Sequence, residues 1–125
     1  MRFCFTFRPR FSSAVKAAFL DRDGVINVDY AYVHSRENFH FIPGALEGAA
    51  ELVRKGHQLI IVTNQSGIGR GKYSIDQFRE LTFWLAGVFA RNHAPLSAVY
   101  FCPHHPTHAF APVSYTPLRA PETGA

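Results

Sequence analysis

The residues most suited to chemistry stand at the end of an apolar run. In AAFLDRDGVIN, residues 17–27, the run stops at Asp21-Arg22-Asp23-Gly24. On an extended chain residues i and i+2 point to the same side, so both carboxylates can face one small volume. Left unneutralised they would repel each other. A hard divalent cation such as Mg²⁺ relieves that repulsion and suits carboxylate and carbonyl oxygens. Gly24 allows the chain to turn away tightly. A second polar group follows the next apolar run: in QLIIVTNQSG, residues 58–67, Thr63 is succeeded by Asn64, Gln65 and Ser66. A threonine hydroxyl and the backbone N–H groups of such a loop can hold phosphate oxygens. An aspartate nucleophile, an aspartate acid, a metal and phosphate-holding donors together make a phosphoryl-transfer site.

These groups need elements to position them. Residues 17–20 and 58–63 are short apolar runs that read as buried strands, and residues 97–101 as a third. Pro43-Gly44 opens, and Gly56 closes, a segment with Leu46, Ala49, Ala50 and Val53 on one stripe, which predicts a helix. Ser74-Ile75-Asp76-Gln77 has the pattern of a capping box. Behind it Ile75, Phe78, Leu81, Leu85 and Val88 keep helical spacing to about Asn92. Strand, helix, strand, helix, strand, without alternation in the strands, predicts an α/β fold with a parallel sheet covered on both faces. Ligands in such folds bind beyond the carboxyl ends of the strands, where Asp21, Thr63 and Cys102 fall.

Composition narrows the classes. The 125 residues are 47% hydrophobic and 18% charged, which suits one globular domain. No stretch is long and apolar enough for a membrane span. The net charge of +4 is that of residues 1–16 alone, with Arg2, Arg8, Arg10, Lys16 and no acid; the rest balances. The domain has no basic footprint for nucleic acid. The leader could be an organelle transit peptide, but a poorly ordered extension is the favoured reading. Two cysteines, Cys4 and Cys102, suggest no disulfide framework, so a reducing cytoplasm is expected. From Phe110 onward prolines exclude regular structure. The run PVSYTPLRAPET is similar to a translated sequencing adapter, so residues 112–125 are expected to lie outside the domain, which then spans 17–111.

FLDRDGVIN with VTNQSGIGRGKYS resembles the haloacid dehalogenase-like phosphatases. DYAYVHSRENFHFIPG, TNQSGIGRGKY and YFCPHHP are similar to the D-glycero-D-manno-heptose 1,7-bisphosphate 7-phosphatase family within them. The resemblance runs from about Ala17 to about His105. It implies a three-layer α/β/α Rossmann-like fold, incomplete here, with about three strands and two helices. It implies that Asp21 attacks phosphorus, and that Asp23 protonates the leaving oxygen and then activates water. The Asp21 carboxylate and the Asp23 backbone oxygen would hold Mg²⁺, and Thr63 would steady the phosphoryl group. Arg22, Gly24, Asp29, Tyr30, Tyr32, Asn64, Gln65 and Ser66 would line the pocket of a small sugar phosphate, under a flap formed by residues 28–41. The implied protein is a monomer when intact.

The resemblance also implies a structural Zn²⁺, held by a Cys-x-His pair and a later Cys-x-Cys pair. Cys102 and His104 supply the first pair and the second is absent; His105 and His108 differ in type and spacing. An Arg-Lys pair and a Gly-Asp-x-x-x-Asp segment expected of the family are missing too, so the C-terminal side is expected to be truncated. As written, the chain should then be a weak phosphatase with the Asp21 strand at a sheet edge. The related histidinol-phosphate phosphatases are the alternative enzyme, and a non-catalytic fragment the alternative of another class.

Overall fold

The computed structural model describes residues 3–7, 16–104 and 118–119. Five strands form one sheet in the order β2-β3-β4-β1-β5: β1 Phe3–Thr6, β2 Lys16–Leu20, β3 His57–Asn64, β4 Leu96–Cys102 and the two-residue β5 Leu118–Arg119. The three predicted strands are the parallel core, with Leu20 opposite Ile61 and Thr63 opposite Phe101. Their carboxyl ends lie along one edge of the sheet. Two strands were not foreseen. β1 lies in the leader that was expected to be poorly ordered, and it pairs antiparallel with β4, with Phe5 fully buried. β5 lies in the tail expected to be irregular, and pairs parallel with β1. The remaining leader and tail residues, with His105 and His108, lie outside the described residues.

Both predicted helices form. Helix α1, Ala45–Arg54, starts behind Gly44 at φ 85°, and Gly56 at φ 93° follows it; both glycines supply a left-handed backbone. The helix α2, Ser66–Gly69, is a single turn. Helix α3, Ile75–Arg91, has the predicted capping box: Gln77 N donates to Ser74 Oγ at 3.0 Å, and Ser74 N to Gln77 Oε1 at 2.9 Å. Its apolar face buries Phe78, Leu81, Leu85 and Phe89.

Among the described residues both long helices lie on one face of the sheet. The chain passes β2, β3, β4 without reversing direction, so two right-handed crossovers put α1 and α3 on the same side. There they share one core with Leu59, Ile61, Val99 and Phe101. The other face carries a smaller cluster of Cys4, Ile60 and Ala98, flanked by Val62 and Tyr100, and no long helix covers it among the described residues. The fold is α/β, and incomplete as expected.

β2 is the edge strand, paired only with β3 among the described residues, and Phe19 on it is 68% exposed. An apolar strand with unpaired backbone groups invites pairing with another chain, and a charge on it opposes that pairing. Concentration-dependent self-association is therefore expected in sedimentation, and Phe19→Lys should reduce it. Equal self-association of the two forms would contradict a role for the β2 edge.

Candidate active site

The site begins where β2 ends. Asp21 is exposed, and its Oδ1 accepts from Arg22 N at 2.9 Å. The chain then turns back, with Gly24 at φ 89° and its N–H donating to Asn27 O at 2.8 Å. This turn leaves Arg22 and Asp23 pointing inward. Val28 N bonds His40 O at 2.8 Å and Ile42 N bonds Ile26 O at 2.9 Å, closing the flap over the turn. Within the flap Ala31 and Tyr32 take positive φ, and Asp29 Oδ1 accepts from Ala31 N at 3.0 Å.

Asp23 is the most constrained group. Its Oδ1 accepts from Arg22 Nη2 at 2.8 Å and from Asn27 Nδ2 at 2.9 Å, and its Oδ2 from Gln65 Nε2 at 3.1 Å. Gln65 comes from the loop after β3, forty-two residues away. It also donates from Nε2 to Thr63 Oγ1 at 2.9 Å, and its Oε1 accepts the Tyr73 hydroxyl proton. Thr63 and Gln65 are both buried.

A cavity of about 230 Å³ opens beside these groups, lined by Arg22, Asp23, Asp29, Ala31, Tyr32, Asn64, Gln65, Ser66, Gly67 and Tyr73. Six of the residues expected to line the pocket are among them: Arg22, Asp29, Tyr32, Asn64, Gln65 and Ser66. The others sit differently. Gly24 shapes the turn without lining the cavity. Tyr30 is half exposed, its hydroxyl 3.0 Å from His40 Nδ1. Thr63 lies beneath Gln65. Arg22 forms part of the wall, but its side chain is only 3% exposed. Its Nη2 also donates to Val33 O at 2.9 Å, and its guanidinium carbon stands 5.7 Å from the Phe39 ring centre and 5.8 Å from that of Phe78. Nε and Nη1 have no hydrogen-bond partner among the described residues. Arg22 is therefore placed to hold Asp23 and the flap while it forms part of the cavity wall. A larger hollow of about 430 Å³ lies beyond His34, between the flap and α3, and neither aspartate borders it.

Tyr73 and Asn27 are the groups that sequence reasoning left without a role, although both lie inside the stretches that carry the resemblance. Burial, first of all, pushes the Tyr73 phenol up from 10.0 to about 12; Arg22 lowers it, and Asp23 and Tyr32 raise it. At neutral pH the hydroxyl therefore keeps its proton and donates.

As metal donors the described residues offer Asp21, with a second carboxylate oxygen, and Asp23. Oxygen donors of this kind suit Mg²⁺, which commonly uses one or two carboxylates with water and phosphate oxygens. They form no group of three or more His, Cys, Asp and Glu residues able to hold a metal ion, and among the described residues Cys102 with His104 supplies only two of the four ligands that a structural zinc takes.

No protein-family model matches the chain. It is 53% identical over 95 residues to the D-glycero-beta-D-manno-heptose-1,7-bisphosphate 7-phosphatase of Vibrio cholerae, covering 76% of this chain and 51% of that protein. It is 47% identical over 105 residues to the Yersinia pestis protein of the same name, covering 84% and 56%. A solved D,D-heptose 1,7-bisphosphate phosphatase from B. bronchiseptica, complexed with magnesium and phosphate, superposes with a TM-score of 0.71 at 32% identity, over 78% of this chain and 55% of that one. A putative HAD-like phosphatase from Mesorhizobium loti gives a TM-score of 0.76 at 30% identity, over 86% and 52%. The chain spans about half the length of the curated relatives it matches.

The raised Tyr73 phenol has a measurable consequence. The protonated form is the neutral one, and the folded state holds that proton more tightly than the unfolded state. The resulting stability is complete below pH 10 and is lost as pH rises from 10 toward 12. Two pKa units correspond to about 3 kcal/mol. Urea midpoints should fall over this window in the unmodified chain and fall less in Tyr73→Phe; parallel curves would contradict the assignment. The motifs, the sheet and the relatives converge on one statement: this chain is similar, over about half their length, to heptose bisphosphate phosphatases of the haloacid dehalogenase-like type.

Proposed function

We propose that this chain carries the acid–nucleophile half of a Mg²⁺-dependent phosphatase that removes the C7 phosphate of D-glycero-D-manno-heptose 1,7-bisphosphate. One observation carries the reading: the Asp23 carboxylate at the end of β2 is hydrogen-bonded to Gln65 from the loop after β3, at the wall of the cavity. The names of the relatives supply the substrate. In this reading the Asp21 carboxylate oxygen attacks phosphorus and the ester bond to the sugar oxygen breaks. Asp23 delivers a proton to that oxygen, and the sugar leaves as an alcohol. Asp23, now a carboxylate, takes a proton from water, whose oxygen attacks the aspartyl-phosphate; inorganic phosphate leaves and Asp21 is restored. The N–H groups around Asn64 and Ser66 would hold the phosphate oxygens. Mg²⁺, held by the Asp21 carboxylate and the Asp23 backbone carbonyl, would neutralise phosphate charge when bound.

The setting is a small sugar-phosphate substrate in a reducing cytoplasm, a reading supported by two free cysteine thiols. No helix among the described residues is long and apolar enough to cross a membrane.

Phosphate release from heptose bisphosphate with Mg²⁺ tests the reading. Asp21→Asn should abolish it, because the nucleophile and a metal donor go together; activity above a few per cent of the unmodified chain's would remove Asp21 from that role. Asp23→Asn should cost much less on p-nitrophenyl phosphate than on the sugar phosphate, since a good leaving group needs no acid. Equal losses on the two substrates would contradict the assignment of Asp23.

A further inference from the structure

Tyr73 has no part in the chemistry just described, yet it is nearly completely buried at the wall of the site. Its ring is stacked on His34, with centres 5.0 Å apart and planes 9° from parallel. On another side it lies against Gly67: a Cβ there would come within 2.4 Å of Tyr73 Cε1 and 2.8 Å of Tyr32 Cδ1. Only a residue without a side chain lets both rings close on α2. Ring and hydroxyl are thus held in place from more than one direction.

The hydroxyl decides how Gln65 stands. A side-chain amide has a donor end and an acceptor end, and either could in principle face Asp23. Were Oε1 to face Asp23 Oδ2, two acceptors would meet with no proton between them. With Nε2 toward Asp23 Oδ2 and Thr63 Oγ1, Oε1 needs a buried donor, and Tyr73 supplies it. Burial keeps the phenol protonated at neutral pH, so the donor is always present.

We infer that Tyr73 is a positioning residue: its hydroxyl locks the Gln65 amide in the one orientation that holds the Asp23 carboxylate and the Thr63 hydroxyl together. The consequence for catalysis rests on the phosphatase reading, but the lock itself does not. Losing the hydroxyl leaves the ring packing in place and frees the amide to turn, so that Asp23 keeps Arg22 and Asn27 on Oδ1 and loses its partner on Oδ2.

The test is nuclear magnetic resonance on the full chain, labelled with ¹⁵N and ¹³C. In the unmodified chain a through-hydrogen-bond coupling is expected between Gln65 Nε2 and the Asp23 carboxyl carbon. In Tyr73→Phe that coupling should vanish, and the Gln65 side-chain amide protons should exchange with solvent about fivefold to tenfold faster, while the melting transition remains. A packing role alone would leave coupling and exchange unchanged in Tyr73→Phe, and that result would overturn the inference. If Tyr73→Phe does not fold, the unmodified chain still decides: absence of the coupling overturns the lock and its presence supports it. None of these readouts requires turnover, so a failure of the phosphatase reading, seen as absent phosphate release, is distinguishable from a failure of the lock.

Discussion

Everything at this site depends on the three donors that hold one carboxylate. Asp23 is grasped by Arg22 beside it, by Asn27 across the turn and by Gln65 from a different strand's loop. Each donor ties a separate piece of chain to the same atom group. Arg22 extends the grip to the flap through the Val33 carbonyl, and Gln65 extends it to Thr63 and Tyr73. Burying the Arg22 guanidinium is costly, because two of its nitrogens have no hydrogen-bond partner among the described residues. The faces of Phe39 and Phe78 offset part of that cost, on the order of 0.5–2 kcal/mol for a cation over a ring. A charge of this kind is retained where its geometry is needed, and here that geometry is the direction of the Asp23 carboxylate.

The sheet explains why these segments can meet. Parallel strands bring their carboxyl ends to one edge, so Asp21, Thr63 and Cys102 lie along the same edge of the sheet though they are far apart in sequence. The same unreversed strand order puts both long helices on one face. β2, which carries the nucleophile candidate, is left with one unpaired edge among the described residues, and Phe19 projects from it. An unpaired sheet edge and the proposed chemistry therefore lie together at β2.

Much of this was legible in the sequence where local physics is strong. Three apolar runs became strands, Pro43-Gly44 and Gly56 bracketed α1, and Ser74 with Gln77 capped α3. Asp21, Asp23 and the loop after Thr63 announced themselves by type and spacing. β1 stayed hidden because arginines flank its short run, and its partner β4 lies some ninety residues on. The depth of Arg22's burial was not legible, because charged residues are expected at the surface. Tyr73 stands just before the Ser74 cap, where an aromatic reads as packing for the helix end; only the folded chain brings its hydroxyl to Gln65. The single-face helix layer follows from strand order, which periodicity does not encode.

One measurement tests the central claim that Asp21 and Asp23 divide nucleophile and acid–base work within this prebuilt site. With Asp23→Asn, transfer from a good leaving group should still proceed, while hydrolysis of the product on Asp21 loses its base. Incubating that variant with Mg²⁺ and p-nitrophenyl phosphate, then mapping the intact chain by mass spectrometry, should show one phosphoryl group on Asp21. An unmodified Asp21, or a phosphoryl group on any other residue, would contradict the account.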